Sequence, residues 1–169
     1  DPADFDRVQM AHDRMNTLIG DLLSLARKGQ RVEETTELRL RSVLDSVWET
    51  VHTDGATLER IVDDFRLEAD EPRLCQLLQN LLSNAVEHSS TCNRTRSADA
   101  GETADVTVRV GVLDTGSGFY VEDDGPGIPA EEREAVFDHG YSTSSRGTGF
   151  GLSIVRSIAE AHGWTVQVR

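Results

Sequence analysis

The chain has 169 residues, with 30 Asp and Glu against 17 Lys and Arg, so its net charge at pH 7 is −13. This length accommodates one domain of ordinary size and an appendage. The negative charge argues against a nucleic-acid partner, because phosphates would be repelled over most of the surface. Lys28 is the only lysine. A surface rich in acidic residues and poor in lysine favours a halophilic protein, and the alternative is an ordinary acidic protein from a GC-rich genome.

The ends of the chain and its cysteines indicate a cytoplasmic fragment. The sequence opens at Asp1 without a signal-peptide pattern or an initiator Met, and no apolar run approaches the length of a membrane span. We therefore expect an excised piece of a longer protein. Cys75 lies in a helical pattern and Cys92 in a polar segment, and we expect both to be reduced thiols.

The N-terminal segment predicts a helix that needs a partner. Between Phe5 and Ala26 the apolar residues recur three and four positions apart, which is a heptad seam, and Gly29 is a natural C-terminal stop. We expect this helix within residues 1–29, followed by a polar linker at 30–37.

After the linker, the pattern predicts a strand, a helix and a hairpin. The strand depends on the alternation of Leu38 and Leu40, and Ser42 is expected to cap the helix that follows. Two further strands, at 57–62 and 65–69, are expected to pair as a hairpin across two aspartates.

A longer helix is predicted from about Pro72 to His88, with a stripe of leucines on one side. Asn80, Asn84 and Glu87 share another face, because they lie four and three residues apart. Amide oxygens on such a face can bind Mg²⁺, and a solvated polar stripe is the alternative. The ring of His88 can interact with the C-terminal end of the helix dipole.

A mobile polar insertion is predicted at 89–103, because this stretch has almost no apolar residues. Valines then alternate from Val106 to Val112, which predicts a half-buried strand. A glycine-containing turn leads to a second strand at 119–122, and this hairpin delivers Asp123 at its end.

The remainder of the chain predicts two helices and a strand. Acidic residues after Pro129 begin a short helix that ends near Phe137. A longer helix is expected at 152–161, and a single strand at 164–169.

Two glycine-rich segments flank the short helix. In Asp123-Asp-Gly-Pro-Gly127, a carboxylate able to accept a hydrogen bond from an adenine amino group precedes glycines that allow close backbone approach. In Gly147-Thr-Gly-Phe-Gly151, glycines open a helix whose free N–H groups can face phosphates. An ordinary acidic turn and a flexible loop are the respective alternatives when each segment is taken alone.

Three segments in order, Asn80 to Ala85, Asp123 to Gly127 and Gly147 to Leu152, resemble the N, G1 and G2 boxes of the histidine-kinase catalytic domain. That domain belongs to the Bergerat-fold (GHKL) ATPase superfamily, with the gyrase B subunit, MutL and a heat-shock chaperone family. The resemblance implies an ATP-binding catalytic domain at 38–169 with a truncated last strand. Residues 14–27 resemble the second helix of the kinase dimerisation domain.

The implied fold is α+β, a two-layer sandwich in which a mixed, mostly antiparallel sheet packs against three helices, with the N-terminal helix in addition. The implied cofactors are ATP and Mg²⁺, with Asn84 as the Mg²⁺ ligand and Asp123 reading the adenine. The implied ATP-binding residues are Asn80, Asn84, Glu87, His88, Asp123, Gly125, Gly127, Ile128, Arg146, Gly147, Thr148, Gly149, Phe150, Gly151 and Leu152.

Around these boxes the resemblance assigns further roles. Phe137 and Tyr141 resemble the F box, with core aromatics as the alternative. A nucleotide lid is implied at 138–148, where Arg146 is the only cation. Phe150 stands where the family most often has leucine.

The chain departs from the family pattern at functionally important positions. Glu87 stands where the pattern often has Lys or Arg, so the charge balance at the triphosphate needs another cation. Hydrolytic members carry a glutamate base at the position of Asn80, so this amide favours a kinase. The helix that carries the phosphorylated histidine has no counterpart here. His12 lies in sequence that resembles the second helix and not the acceptor motif of the family, so we expect it to be a solvated helix histidine.

The implied function is transfer of the ATP γ-phosphoryl group to a histidine outside this chain, within a two-component sensor histidine kinase. The implied partners are an acceptor-histidine helix hairpin of the same or a paired chain, the receiver domain of a response regulator, and a second copy in a homodimer. A non-catalytic nucleotide-sensing or dimerisation module is the alternative, and a hydrolytic ATPase is a third, which Asn80 opposes.

Overall fold

A computed structural model describes residues 8–9, 11–12, 15–16, 19–20, 23, 32, 34–51, 55–96, 106–141 and 149–169, with the backbone alone for 88–96. The described positions before residue 24 are helical and exposed, in line with the predicted N-terminal helix. Its described apolar residues Val8, Met15, Ile19 and Leu23 are each more than half exposed. Among the described residues, no helix combines the length and the apolarity needed to cross a bilayer.

The described core of the chain forms two small sheets and three helices. β1 pairs with β3 in antiparallel fashion, β2 pairs with β4 in parallel, and β4 pairs with β5 in antiparallel fashion. The elements are β1 (Thr36–Arg39), α1 (Leu40–Trp48), β2 (Ala56–Ile61), β3 (Arg66–Ala69), α2 (Glu71–Arg96), β4 (Val106–Val112), β5 (Phe119–Asp123), a 3₁₀ helix (Ala135–Phe137) and α3 (Gly151–Ala161).

One hydrophobic core joins the helices to the sheets. Side chains four residues apart on α2 lie on one face of the helix, and side chains two residues apart on β4 lie on one face of the sheet, because these spacings match the helix and strand periods. α2 packs against α1, α3, β4 and β5. This arrangement confirms the predicted α+β architecture with a mixed sheet. The side chains with less than 2% exposure are Leu40, Leu44, Leu74, Leu78, Leu82, Ile154, Val62, Val106, Val108, Val110 and Val155.

The predicted hairpin of residues 57–62 with 65–69 is wrong. β2 pairs with β4 from Ala56 opposite Val106 onwards, and β3 pairs with β1 in the other sheet. A two-residue hairpin loop favours turns with positive φ, and no described non-glycine residue has one. The two aspartates at 63–64 therefore redirect the chain from one sheet to the other.

Two helix boundaries also differ from the prediction. α1 begins at Leu40, and its N-cap residue Arg39 makes no side-chain capping bond, so Ser42 is an interior residue and not the cap. α2 continues to Arg96 through the stretch predicted as a polar loop, and Cys92 is therefore helical. Adding residues to an established helix requires no new nucleation, so weak local propensity at 89–96 is tolerated.

The C-terminal segment is not a strand in the described structure. Residues 164–169 keep an alternating exposure, but they pair with no described strand. The Trp164 ring stacks on His162 at a centroid separation of 4.3 Å. His162 accepts a hydrogen bond at Nε2 from the Asp70 backbone N–H (3.0 Å), and its Nδ1 lies 2.8 Å from the Ile158 carbonyl oxygen. These contacts join the end of α3 to the start of α2.

The predicted short helix before Phe137 is reduced to a 3₁₀ turn at its end, and the predicted helix at 152–161 is α3, which begins one residue earlier. The linker meets the domain at Val32, whose N–H donates to the Ala161 carbonyl at 3.2 Å. The boundaries of the domain itself remain a prediction.

Candidate functional site

The polar face of α2 lies against the first residue of α3. Asn80 and Asn84 are half-buried, and a Cβ added to Gly151 would lie 3.4 Å from Asn84 Oδ1 and 3.5 Å from Asn80 Oδ1. Asn80 Nδ2 donates to the Gln76 carbonyl at 3.1 Å, which orients its Oδ1 away from its own backbone. Two amide side chains predicted from spacing alone therefore converge on the start of another helix.

The N-terminus of α3 presents backbone N–H groups at this place. Its N-cap residue Phe150 makes no side-chain capping bond, and the first turn holds no acidic residue. The first N–H groups of a helix have no intrahelical acceptor, and the helix dipole adds a partial positive charge there. Amide oxygens and backbone N–H groups thus lie side by side, which suits an anion accompanied by a metal ion.

The donor set fits a metal ion that arrives with a phosphate. Mg²⁺ in nucleotide sites is commonly held by one or two protein oxygens together with phosphates and water. Among the described residues, no group of three or more His, Cys, Asp or Glu is placed to hold a metal. A single amide oxygen from Asn84 is compatible with a Mg²⁺ site in which phosphates and water supply the other ligands.

The predicted adenine turn follows β5. Asp123 is exposed, and its Oδ1 accepts a hydrogen bond from the Gly125 N–H at 2.8 Å, which orients the carboxylate. Gly127 has a φ of 73°, a left-handed conformation that favours glycine. Ile128 is half-buried beside it. Asp123 through Ile128 therefore form one ordered turn, which we call the adenine turn after the role predicted for it.

Two glycines bring the chain back to α3 after the 3₁₀ helix. The Gly140 N–H donates to the Gly149 carbonyl at 3.0 Å, and both residues have positive φ, 82° and 74°. A Cβ added to Gly149 would lie only 2.8 Å from the Gly140 carbonyl carbon. We call this contact the glycine pair. The predicted site residues Arg146, Gly147 and Thr148 lie outside the described residues, as does the side chain of His88.

The remaining predicted site residues lie at the borders of this region. Glu87 is exposed on the same arc of α2 as the two amides, and Leu152 is half-buried in the first turn of α3. Phe137 is 5% exposed, and the Arg156 guanidinium lies over its ring at 4.8 Å from the centroid. A buried aromatic beneath a cation supports a packing role for Phe137.

One contact was missed by sequence reasoning. The Tyr141 hydroxyl donates to Glu132 Oε2 at 2.6 Å, and this hydrogen bond raises the pKa of Tyr141. The sequence marks Tyr141 only as an aromatic residue of the F-box resemblance, and Glu132 only as one of the acidic residues after Pro129. The nine-residue separation matches no helical or strand period, so no local pattern could have paired them.

Two cavities lie away from the amides and the adenine turn. One, of about 140 Å³, lies between the 3₁₀ helix and α3, and Arg156 lines it. The other, of about 220 Å³, lies between β1, α1 and the start of α2, and Cys75 lines it. Burial is the main cause that raises the pKa of the Cys75 thiol, with the charge of Glu71 adding to it.

The fold and these contacts define a two-layer α+β domain with two amide side chains beside a helix N-terminus and a separate acidic turn. Residues 69–169 match the family described as histidine kinase-, DNA gyrase B-, and HSP90-like ATPase. The chain therefore belongs to that family, which confirms the predicted superfamily. Domains of this family bind ATP.

Individual relatives point within that family to histidine kinases. The sensor histidine kinase ZraS of Klebsiella oxytoca is 32% identical over 178 aligned positions, covering 98% of this chain and 36% of ZraS. The structure of the mycobacterial sensor histidine kinase MprB is 26% identical with a TM-score of 0.62, covering 79% of this chain and 84% of that one. The structure of full-length ShkA in complex with AMPPNP is 26% identical with a TM-score of 0.69, covering 98% of this chain and 35% of ShkA.

The chain spans about a third of the length of the curated ZraS proteins that it matches. Its similarity to MprB, by contrast, covers most of both structures. What is shared is therefore a domain.

Proposed function

We propose that this chain is the ATP-binding catalytic module of a two-component sensor histidine kinase, and that it transfers the γ-phosphoryl group of ATP to a histidine outside the chain. The observation that carries the proposal is the approach of the Asn80 and Asn84 amides to Gly151 at the N-terminus of α3. This contact brings candidate metal-binding oxygens and phosphate-binding N–H groups together.

The two ends of the nucleotide have separate partners. Asp123 accepts a hydrogen bond from the adenine amino group, and Ile128 packs on the base. The α3 N-terminus receives the phosphates, with Gly151 allowing close approach. Asn84 would hold Mg²⁺, which when bound neutralises phosphate charge and orients the γ-phosphoryl group. Arg146 is proposed as a further phosphate contact.

The chemistry needs positioning more than a strong base. An imidazole nitrogen of the acceptor attacks the γ-phosphorus, the bond to the β–γ bridging oxygen breaks, and ADP leaves with that electron pair. The nucleophile carries its own lone pair, so catalysis rests on alignment and charge stabilisation. Asn80 cannot take a proton from water, which disfavours hydrolysis of bound ATP.

The wider setting is also part of the proposal. The acceptor histidine lies on a helix hairpin of the same or a paired chain, the whole protein is a homodimer, and the receiver domain of a response regulator takes the phosphoryl group. We place the module in the cytoplasm, where ATP is available. The named relatives are sensor histidine kinases, and the ShkA structure holds the ATP analogue AMPPNP, both of which support this setting.

Calorimetric titration of MgATP into the chain, in molar KCl and at low salt, tests the nucleotide site. Asp123→Asn should abolish measurable binding, because the amide presents an N–H donor where an acceptor is needed. Asp124→Asn is the matched control, since Asp124 is the neighbouring exposed carboxylate and bonds the Thr107 N–H instead. Binding by a folded Asp123→Asn variant equal to that of the control would contradict the adenine assignment.

Phosphotransfer distinguishes the kinase from the second candidate, a non-catalytic nucleotide-sensing or dimerisation module. Glu87 favours that candidate, because an exposed carboxylate on the arc of the two amides repels phosphate. Radiolabel from [γ-³²P]ATP should move to an added acceptor hairpin, and Asn84→Ala should lose transfer. ATP binding without transfer would support the second candidate. Steady ADP release without an acceptor would instead indicate the hydrolytic ATPase.

A further inference from the structure

The hydrogen bond from Tyr141 to Glu132 connects two segments that the local sequence does not connect. Its length is 2.6 Å, and both side chains are half-buried. A hydroxyl that donates to an ionised carboxylate makes one of the stronger hydrogen bonds found in proteins. Partial burial protects the bond from competition by water. The contact is therefore strong enough to restrain the segments that carry it.

Glu132 is anchored to the adenine turn. Its backbone N–H donates to the Pro129 carbonyl at 3.0 Å, and its carbonyl accepts from the Val136 N–H at 2.9 Å. The neighbouring Arg133 donates through Nε to the Ile128 carbonyl at 3.2 Å. Ile128 is the last residue of the adenine turn, so a displacement of Glu132 is transmitted to it through one short, internally bonded segment.

Tyr141 is anchored to the phosphate end. Its backbone N–H donates to the Asp138 carbonyl at 3.2 Å, and the preceding residue is Gly140 of the glycine pair. Gly149, the other member of that pair, lies two residues before Gly151, which faces the α2 amides. The Tyr141 side chain thus extends from the phosphate end of the site towards the adenine end.

We propose, on the basis of the function proposed above, that Tyr141 and Glu132 are positioning residues for the nucleotide. Their hydrogen bond sets the separation between the adenine turn and the phosphate-binding end. A ligand that spans both ends gains from a separation that is fixed before it binds, because it does not have to order the site itself. A ligand that contacts only the adenine turn gains nothing from the bond.

Tyr141→Phe removes the hydroxyl and keeps the ring, so it tests the bond with little change in packing. Calorimetric or fluorescence titration should show a loss of MgATP and ADP affinity of about three- to tenfold, as expected for a charge-assisted hydrogen bond whose strength is only partly coupled to binding. Adenosine affinity should change by less than about twofold, because adenosine lacks the phosphates. The contrast between these ligands is the signature of positioning.

The chain offers matched controls. Glu132→Gln keeps an acceptor oxygen and should retain most of the affinity for MgATP, whereas Glu132→Ala should match Tyr141→Phe. The double variant Tyr141→Phe with Glu132→Ala should lose no more than either single variant, because both remove the same bond. Tyr120→Phe removes the hydroxyl of the only other tyrosine in the sequence, whose ring lies over Gly111 on the sheet. This variant should leave the affinities for MgATP, ADP and adenosine unchanged.

The outcomes separate this inference from the function on which it rests. Equal MgATP affinity in wild type and Tyr141→Phe would overturn the positioning role while leaving the ATP site intact. An equal loss for MgATP, ADP and adenosine would also overturn it, since that result indicates general disruption of the adenine turn. A folded wild-type chain that binds no MgATP would refute the proposed function, and the positioning role with it.

Discussion

Replacing Gly149 with alanine tests whether the close backbone contact of the glycine pair holds the proposed phosphate-binding end of the site together. Gly149 and Gly140 both have positive φ, so alanine is strained at either position. They differ in the space around an added Cβ. At Gly149 it would lie 2.8 Å from the Gly140 carbonyl carbon, whereas at Gly140 it would meet no atom of the described residues within 4 Å, apart from its chain neighbours. Gly140→Ala is therefore a control matched in backbone strain but not in steric contact.

The expected magnitudes follow from that difference. Left-handed backbone costs a non-glycine residue about 1–2 kcal/mol. Alanine also restricts the unfolded chain and recovers about 0.4–1 kcal/mol. Gly140→Ala should therefore lower the free energy of unfolding by about 1 kcal/mol, the balance of these two effects. Gly149→Ala adds an overpacking cost of about 1–3 kcal/mol, because the obstructing atoms are backbone and cannot rotate away.

Urea denaturation measures both variants, and MgATP titration reports the consequence for the site. Gly149→Ala should be less stable than Gly140→Ala by about 1–3 kcal/mol and should bind MgATP more weakly, since Gly149 lies two residues before the α3 N-terminus. Equal destabilisation by the two substitutions would refute the reasoning, because it would show that the close contact adds nothing to the backbone strain.

Three further predictions use other contacts. Because hydrogen bonding raises the pKa of Tyr141, its bond to Glu132 is intact below the unfolded-state pKa of about 10 and is lost as pH rises through the folded-state pKa. Phenolate absorbance should therefore titrate at lower pH in Glu132→Ala; an unchanged curve would contradict this. His162→Phe keeps the stack but removes the bond to the first N–H group before α2, and should lower the free energy of unfolding by about 2 kcal/mol in urea denaturation. A loss below about 0.5 kcal/mol is typical of a neutral surface substitution and would contradict a stabilising role for this hydrogen bond. In a Cys92→Ser background, iodoacetamide should modify Cys75 more slowly in the native than in the unfolded chain, because burial suppresses the thiolate; equal rates would contradict it.

The sequence was sufficient where short-range periodicity decides the structure. The spacing of Asn80 and Asn84 placed them on one face of α2, and glycines before a run of apolar residues predicted the start of α3 to within one residue of Gly151. The alternation of β4 and the resemblance of three ordered boxes led to the ATPase family and to the α+β class. These inferences hold because a helix or a strand repeats over a few residues, so its pattern is visible without knowledge of the partner.

Strand pairing was decided only by the tertiary structure. Residues 57–62 and 65–69 are adjacent in sequence, yet β2 pairs in parallel with β4, about fifty residues further on, and β3 pairs with β1. Strand propensity says that a segment is extended, and the choice of partner depends on which pairing buries more apolar surface in the whole domain.

The contacts that shape the candidate site were likewise decided only by the tertiary structure. The glycine pair, the hydrogen bond from Tyr141 to Glu132 and the approach of the α2 amides to Gly151 all join residues whose separation along the chain has no regular period. The sequence by itself determined the chemical groups and the local elements that carry them. Only the folded chain determined how they meet, because contacts between elements depend on the packing of the entire core.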